Sequence, residues 1–252
     1  MAPAGVKQVF DEKSGKLAYG EQLARGFFGR RAGKALTRRQ AFLMQDLLPQ
    51  LKIDIHQAAP ADVRSLFSRP VEQVWLESGF GGGEHLIHRA GENPHIGYIG
   101  VEPFRNGMAK ALQAIADRKI ANIRLYDEEA GSLLDWLPDE ALDGFYLLYP
   151  DPWPKIRHFK RRFVNQKNLD RMARVLKQKG EFRLACDIES YIDWTLAHCA
   201  DHPSFKWQEG TLDKTLQPWS GWPGTRYEAK ALREGRRPRY LTFERQGEGD
   251  DA

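Results

Sequence analysis

Residues Val74 to His85 read VWLESGFGGGEH, and the order of residue types in this stretch decides the fold class. Val74, Trp75 and Leu76 are β-branched or bulky side chains suited to a buried strand. They run into Gly79, Gly81, Gly82 and Gly83, where the backbone can turn tightly and approach a ligand with no Cβ in the way. A helix is expected to open near Gly83. Strand, glycine turn and helix make the first unit of a parallel α/β sheet, and such sheets bind ligands beyond the carboxyl ends of their strands.

The chain repeats that unit. HIGYIGVE (95–102) reads as a second strand, and RNGMAKALQAIADRK (105–119) as a helix with apolar Met108, Ala111, Leu112 and Ile115. NIRLY (122–126) is a third strand, followed by a short helix over 131–137, and DGFYLLYP (143–150) a fourth. A helix over 167–177 presents Leu169, Met172, Ala173 and Leu176, GEFRLACD (180–187) forms a fifth strand, and 191–199 a further helix. FKWQEG and RYLTFER read as a terminal antiparallel pair. This rhythm predicts an α/β, Rossmann-like fold: a mostly parallel seven-stranded sheet with right-handed crossovers, helices on both faces and a C-terminal antiparallel pair.

Upstream, Thr37 and Gln40 have capping-box spacing, and Ala41, Phe42, Leu43, Leu47 and Leu48 give an apolar helical face that ends before Pro49. Residues 1–36 are polar, basic and Gly-containing, and are expected to form a flexible arm. Residues 37–246 are expected as a single domain, and the acidic tip 247–252 as a short disordered end.

Apolar and aromatic residues make up 41% of the 252 residues, enough for one large core. Charged residues make up 29%, but the net charge is only +4, so a polyanionic partner has to be argued from charge distribution. Cations crowd into Arg25–Gln40, Lys155–Arg162 and Lys230–Arg239. The last of these reads equally well as a solvated face. Cys186 and Cys199 form no metal-ligand spacing, and the expectation is idle thiols in a reducing compartment. No stretch approaches the ~18 apolar residues of a membrane span, and no apolar leader is apparent, so a cytoplasmic protein without a membrane partner is expected. His85 and His88 lie three apart on a helix, but no acid or cysteine is spaced with them to complete a metal site, and no metal is expected.

Acids stand at successive strand tips. A dinucleotide fingerprint wants a third glycine where this chain has Glu84, and Glu77 precedes the first. Acids beside the loop disfavour a pyrophosphate and favour a cation, and S-adenosylmethionine carries an ammonium and a sulfonium without phosphate. Glu102, at the second tip, can accept from both ribose hydroxyls. Asp127, Glu128 and Glu129 follow the third strand, where an acid can take the adenine amine. The fourth strand ends on Asp-Pro-Trp-Pro (151–154), and Lys155, Arg157, Lys160, Arg161 and Arg162 follow within eight positions. Trp153 could stack on a base or wall the cofactor pocket, and the sequence leaves both open.

With the glycine loop, Glu102, Glu129 and YPDPWPKIRHFKRR (149–162) in this order, the chain resembles class I methyltransferases and, within them, the bacterial tRNA (guanine-N7)-methyltransferase family. FFGRRAGK, ESGFGGGEH, GVEP, EEA, ACD and TRYE carry the likeness over nearly the whole chain. The resemblance implies methyl transfer from S-adenosylmethionine to N7 of a variable-loop guanine (nucleotide 46) of tRNA, with no obligate protein partner. It implies cofactor contacts from Glu77, Gly79, Gly81, Glu102, Glu129 and Asp151, with Asp151 catalytic. It implies substrate contacts from Lys155, Asp187, Thr225, Arg226, Tyr227 and Glu228, and RNA-backbone contacts from Arg157, His158, Lys160, Arg161 and Arg162.

Guanine N7 is already an unprotonated lone pair, so the enzyme needs no general base. It must align N7 and stabilise positive charge arriving on the purine, which carboxylates can do. Recognition has to leave N7 free, so the Watson–Crick edge remains, and a carboxylate from Asp187 or Glu228 could accept from N1–H and the exocyclic amine together. Two rival readings are a methyltransferase acting on an exocyclic base amine and a catalytically silent tRNA-binding subunit. An NAD-dependent oxidoreductase is disfavoured by Glu84.

Overall fold

A computed structural model describes residues 29–247, together with the backbone of Phe10–Asp11 and Lys16–Leu17. The chain divides into two compact units, residues 1–30 and 31–252. Within the first, Phe10–Asp11 pairs antiparallel with Lys16–Leu17. The remainder of the expected arm up to residue 28, and the tail beyond Gly247, lie outside the described residues.

The second unit begins on chain that is fixed by hydrogen bonds. The Arg105 amide donates to the Arg31 carbonyl at 2.9 Å, and Asn106 accepts from the Gly33 amide and donates to the Lys34 carbonyl, each at 2.7 Å. Helix α1 (Arg38–Asp46) then opens on the capping box: the Thr37 side chain accepts from the Gln40 amide and the Gln40 side chain from the Thr37 amide, satisfying two orphan N–H groups. The chain does not stop at Pro49. It makes a further helical turn, Leu48–Leu51, because proline in the first turn forfeits a donor that would have no partner there.

The sheet contains β1 (Gln73–Ser78), β2 (Ile96–Val101), β3 (Ile123–Tyr126), β4 (Leu142–Leu148), β5 (Leu176–Cys186), β6 (Phe205–Trp207) and β7 (Arg239–Arg245). Its order is β3-β2-β1-β4-β5-β7-β6. The first five strands are parallel, and β7 lies antiparallel to both β5 and β6. Helices α2 (Glu84–Glu92), α3 (Arg105–Arg118), α4 (Ala130–Trp136), α5 (Gln166–Val175), α6 (Glu189–Ala200) and α7 (Arg226–Arg233) supply the crossovers and the C-terminal cover. Strand β5 starts at Leu176, four residues earlier than expected, because Leu176 already pairs with Leu142 before an irregularity in the ladder.

Alternation along the strands builds a core on each face of the sheet. Val74, Leu76, Ile99, Val101, Phe145 and Leu147 face one side and pack with Leu133, Leu169, Met172 and Tyr191. Ile96 and Tyr98 face the other side with Leu86, Met108, Leu112 and Leu43. Each fully buried Leu, Ile or Phe contributes about 1.5–3 kcal/mol relative to exposure. The order of the strands reverses between β1 and β4, so the tips of these two neighbours form the crevice.

Candidate active site

The glycine loop after β1 takes left-handed backbone at Gly79 (φ 73°) and Gly81 (φ 59°). A Cβ on Gly79 would meet nothing within 4 Å, so the loop leaves open space on that side. A Cβ on Gly107 would sit 2.2 Å from the Gly81 carbonyl oxygen, and only glycine lets α3 approach the loop this closely.

Glu102, just past β2, is buried. Its Oε2 accepts from the Gly81 amide at 2.6 Å and its Oε1 from the Phe104 amide at 2.8 Å, so the acid clamps the loop. Burial pushes its pKa up to about 7, against the pull of those two amides and of Arg226, with the Asp151 charge adding to the rise. Glu102 therefore faces both Arg226 and Asp151 across the crevice.

At the third tip, Asp127 pairs with Lys52 at 2.7 Å, and Glu128 is exposed. Glu129 is half-buried and precedes α4 without capping it. Burial raises its carboxyl, opposed by Arg171, Arg31 and Lys167. At the fourth tip, Tyr149 (φ 49°) and Trp153 (φ 42°) flank Asp151 in left-handed backbone, a strained arrangement for aromatic residues of the kind that collects at functional sites. Asp151 lies at the exposed rim, and partial desolvation raises its carboxyl. Trp153 packs edge-on to His158 at 5.8 Å and under the Arg161 guanidinium at 4.9 Å.

The basic run forms a 3-10 helix, Ile156–Arg161, with Lys155 at its N-cap position. Lys155, Arg157 and Lys160 are exposed. Desolvation, and then the positive charges of Arg161, Arg157, Lys155 and Lys160, hold His158 below its usual range, so this side chain brings no cation at neutral pH.

Arg162 requires a correction. It is 1% exposed and cannot touch an RNA backbone. Its guanidinium lies over Phe159 at 3.8 Å and near Trp194 at 5.1 Å, and it donates to the Pro152 carbonyl at 3.0 Å and the Ser190 carbonyl at 2.8 Å. Arg162 ties the Asp-Pro-Trp-Pro turn to α6.

Three acids are also more committed than their spacing suggests. Glu77 is buried and bonded to His85 Nδ1 at 2.7 Å beneath the loop, which also gives that histidine a role other than metal binding. Glu228 closes a second capping box with Thr225 at the start of α7. It also accepts from Trp222 Nε1 at 2.8 Å and from the Tyr240 hydroxyl, so its carboxylate holds the TRYE turn and is not free to read a base. Asp187 Oδ2 accepts from Arg236 Nε at 2.5 Å. Arg236 belongs to the basic stretch that reads as a solvated face, yet it orients an acid of the site.

Arg226 and Tyr227 lie across the glycine loop: a Cβ on Gly81 would come within 3.0 Å of the Arg226 side chain and 3.4 Å of the Tyr227 ring. The site thus gathers Gly79, Gly81, Glu102, Asp151, Arg226 and Tyr227. Tyr149, Trp222, Arg236 and Tyr240 complete it, and no spacing rule singled them out. Trp222 in GWPGTRYE was the nearest thing to a signal. Both cysteines are free and buried. Among the described residues, no three His, Cys, Asp or Glu side chains gather as a metal set, and no helix is long and apolar enough to cross a membrane.

An open, reversed-order parallel sheet with an antiparallel β7, a glycine loop and acids in place of a phosphate cradle defines a class I methyltransferase. A family model described as a putative methyltransferase matches residues 71–240. A tRNA (guanine-N(7)-)-methyltransferase of Rhizobium meliloti (strain 1021) is 58% identical over 226 residues, covering 90% of this chain and 97% of that one. One of Brucella melitensis biotype 1 is 59% identical over 220 residues, covering 87% and 94%. Among solved structures, the 16S rRNA methyltransferase KamB shares the fold with a TM-score of 0.52 at 16% identity, covering 76% of this chain and 96% of that one. The chain belongs to the tRNA (guanine-N7)-methyltransferase family and is an enzyme.

Proposed function

We propose that this enzyme transfers a methyl group from S-adenosylmethionine to N7 of a guanine in tRNA, nucleotide 46 of the variable loop. The observation that carries the reading is the convergence of the glycine loop, buried Glu102 and Asp151 on one crevice that opens beside the cationic 3-10 helix. The residues fit the cofactor. Gly79 faces open space, and Glu102 can accept from vicinal hydroxyls once deprotonated. Bound there, S-adenosylmethionine supplies an electrophilic methyl group.

The protein's part is to position and to stabilise charge. Glu102 and Glu129 hold the ribose and adenine ends of the cofactor. Asp151, at the strained tip of β4, places negative charge where the purine becomes cationic, and no proton has to be removed from N7. Arg236 holds Asp187 by Oδ2, and we assign Oδ1 to the guanine N1–H and amine. Lys155 reaches O6 or a phosphate, while Arg157, Lys160 and Arg161 take the RNA backbone.

Nucleoside mass spectrometry of tRNA incubated with enzyme and cofactor should show N7-methylguanosine. A tRNA with 7-deazaguanine at the target should bind and accept no methyl group, because its Watson–Crick edge survives while the nucleophile becomes C–H. Methylation of the deaza substrate at the normal rate would overturn the N7 assignment.

A further inference from the structure

Tyr149 and Tyr227 are near-parallel neighbours at the mouth of the crevice, with ring centroids 6.3 Å apart and planes 21° from parallel. We propose that these two rings form the slot that takes the target purine by stacking on both its faces; the proposal rests on the reading of the site given above. A base held between two rings needs two van der Waals contacts of roughly 3.5 Å each, about 7 Å in all. The 6.3 Å between centroids is an upper limit on the gap between the two planes, so a base enters only when Tyr227 swings outward.

The two rings differ in how they are held. Tyr149 is rigid: its amide donates to the Ala185 carbonyl at 2.7 Å, and Pro150 follows it. Its backbone sits at φ 49°, which costs a bulky residue stability, and its hydroxyl is buried beside that of Tyr240. Burial pushes that phenol above its usual range, with Tyr240, Glu228 and Asp187 adding to the rise, so it stays neutral and has no acid–base use. A strained backbone at a bulky residue is accounted for if the ring itself is what the site needs.

Tyr227 is the movable face. It is 42% exposed at the start of α7. Arg226 lies over its ring at 4.8 Å and donates to its hydroxyl at 3.0 Å, so the ring is steered without being buried. The capping box and the Trp222 and Tyr240 bonds to Glu228 anchor the turn that carries it. The slot lies two residues from Asp151, and its outer ring borders Gly81, so a base within it is close to both charge and cofactor. Stacking does not discriminate among bases, which leaves selection to the edge contacts.

The test uses tRNA carrying 2-aminopurine at the nucleotide that mass spectrometry assigns as the target. Emission should stay quenched in the wild-type complex and in Tyr227→Phe, and rise in Tyr227→Leu and Tyr149→Leu. On unmodified tRNA, the leucine variants should lose about 10- to 100-fold in kcat/KM. Tyr227→Leu changes an exposed side chain and decides the matter even if Tyr149→Leu fails to fold; its thermal midpoint and cofactor binding should match wild type. Retained quenching and rate in Tyr227→Leu would overturn the slot, as would Tyr227→Phe losing as much as Tyr227→Leu. Absence of N7-methylguanosine with wild-type enzyme would instead sink the proposed function. Normal turnover with an unquenched probe would sink the slot alone.

Discussion

Asp151 shows how much of a residue's role depends on its backbone. Between two aromatics in left-handed conformation, it is held at the rim of the crevice, where partial desolvation raises its carboxyl and its charge reaches Glu102. Asp151→Asn should lower methyl transfer by roughly 10²-fold, the usual cost of losing a group that stabilises transition-state charge. Single-turnover rates at saturating cofactor and tRNA measure this, and a near-normal rate would remove Asp151 from the chemistry. Glu102 carries a pH signature. Its folded pKa is raised from 4.5 to about 7, so between those values the folded state holds a proton that the unfolded chain has released. This one group therefore makes the fold less stable as pH rises through that window. On the proposed reading the ribose hydroxyls bind the carboxylate form, so cofactor affinity should climb from pH 6 to pH 8 and level off above about 7, by at most about tenfold per unit. Calorimetric titration across that range checks it; a flat profile would show that Glu102 does not accept from the ligand.

The 3-10 helix at Ile156–Arg161 and the residue after it separate two kinds of cation that look alike in the sequence. Arg157→Gln with Lys160→Gln should weaken tRNA binding and flatten its log–log salt dependence by about two, one counterion for each lost phosphate contact. The thermal midpoint should stay put, since both side chains are exposed. Arg162→Ala should do the reverse of that pair: a loss of roughly 2–4 kcal/mol of stability from vanished cation–π and hydrogen-bond partners, read by chemical denaturation. If Arg162→Ala is as stable as wild type, its buried network contributes nothing. The TRYE turn shows the same problem in reverse. Thr225 and Glu228 stand at the spacing of Thr37 and Gln40, and both pairs close capping boxes. The first is legible as a cap because an apolar helical face follows it. The second points to substrate by family resemblance alone, although its spacing also signals a cap.

At the scale of the whole molecule, cofactor binding and stability are linked. A ligand that binds only the folded state at a hundred times its Kd adds about 2.7 kcal/mol. For a domain of this size, each kcal/mol shifts the midpoint by about 2–4 °C, so saturating S-adenosylmethionine should raise Tm by roughly 5–10 °C. A midpoint unmoved by the cofactor would argue against the crevice as its site. By itself, the sequence determined the parallel sheet, the glycine loop, the antiparallel ending and the acid at each tip, because strand periodicity, turn chemistry and the choice of acid over glycine are local properties of a few neighbouring residues. Which charged groups face a ligand follows from how the elements pack against one another. Glu77 turns to His85, Glu228 to Trp222 and Tyr240, Asp187 to Arg236, and Arg162 into an aromatic cage. Each partner is supplied by packing between elements, often far along the chain, and a buried charge settles on whatever satisfies it there, which no reading of spacing contains.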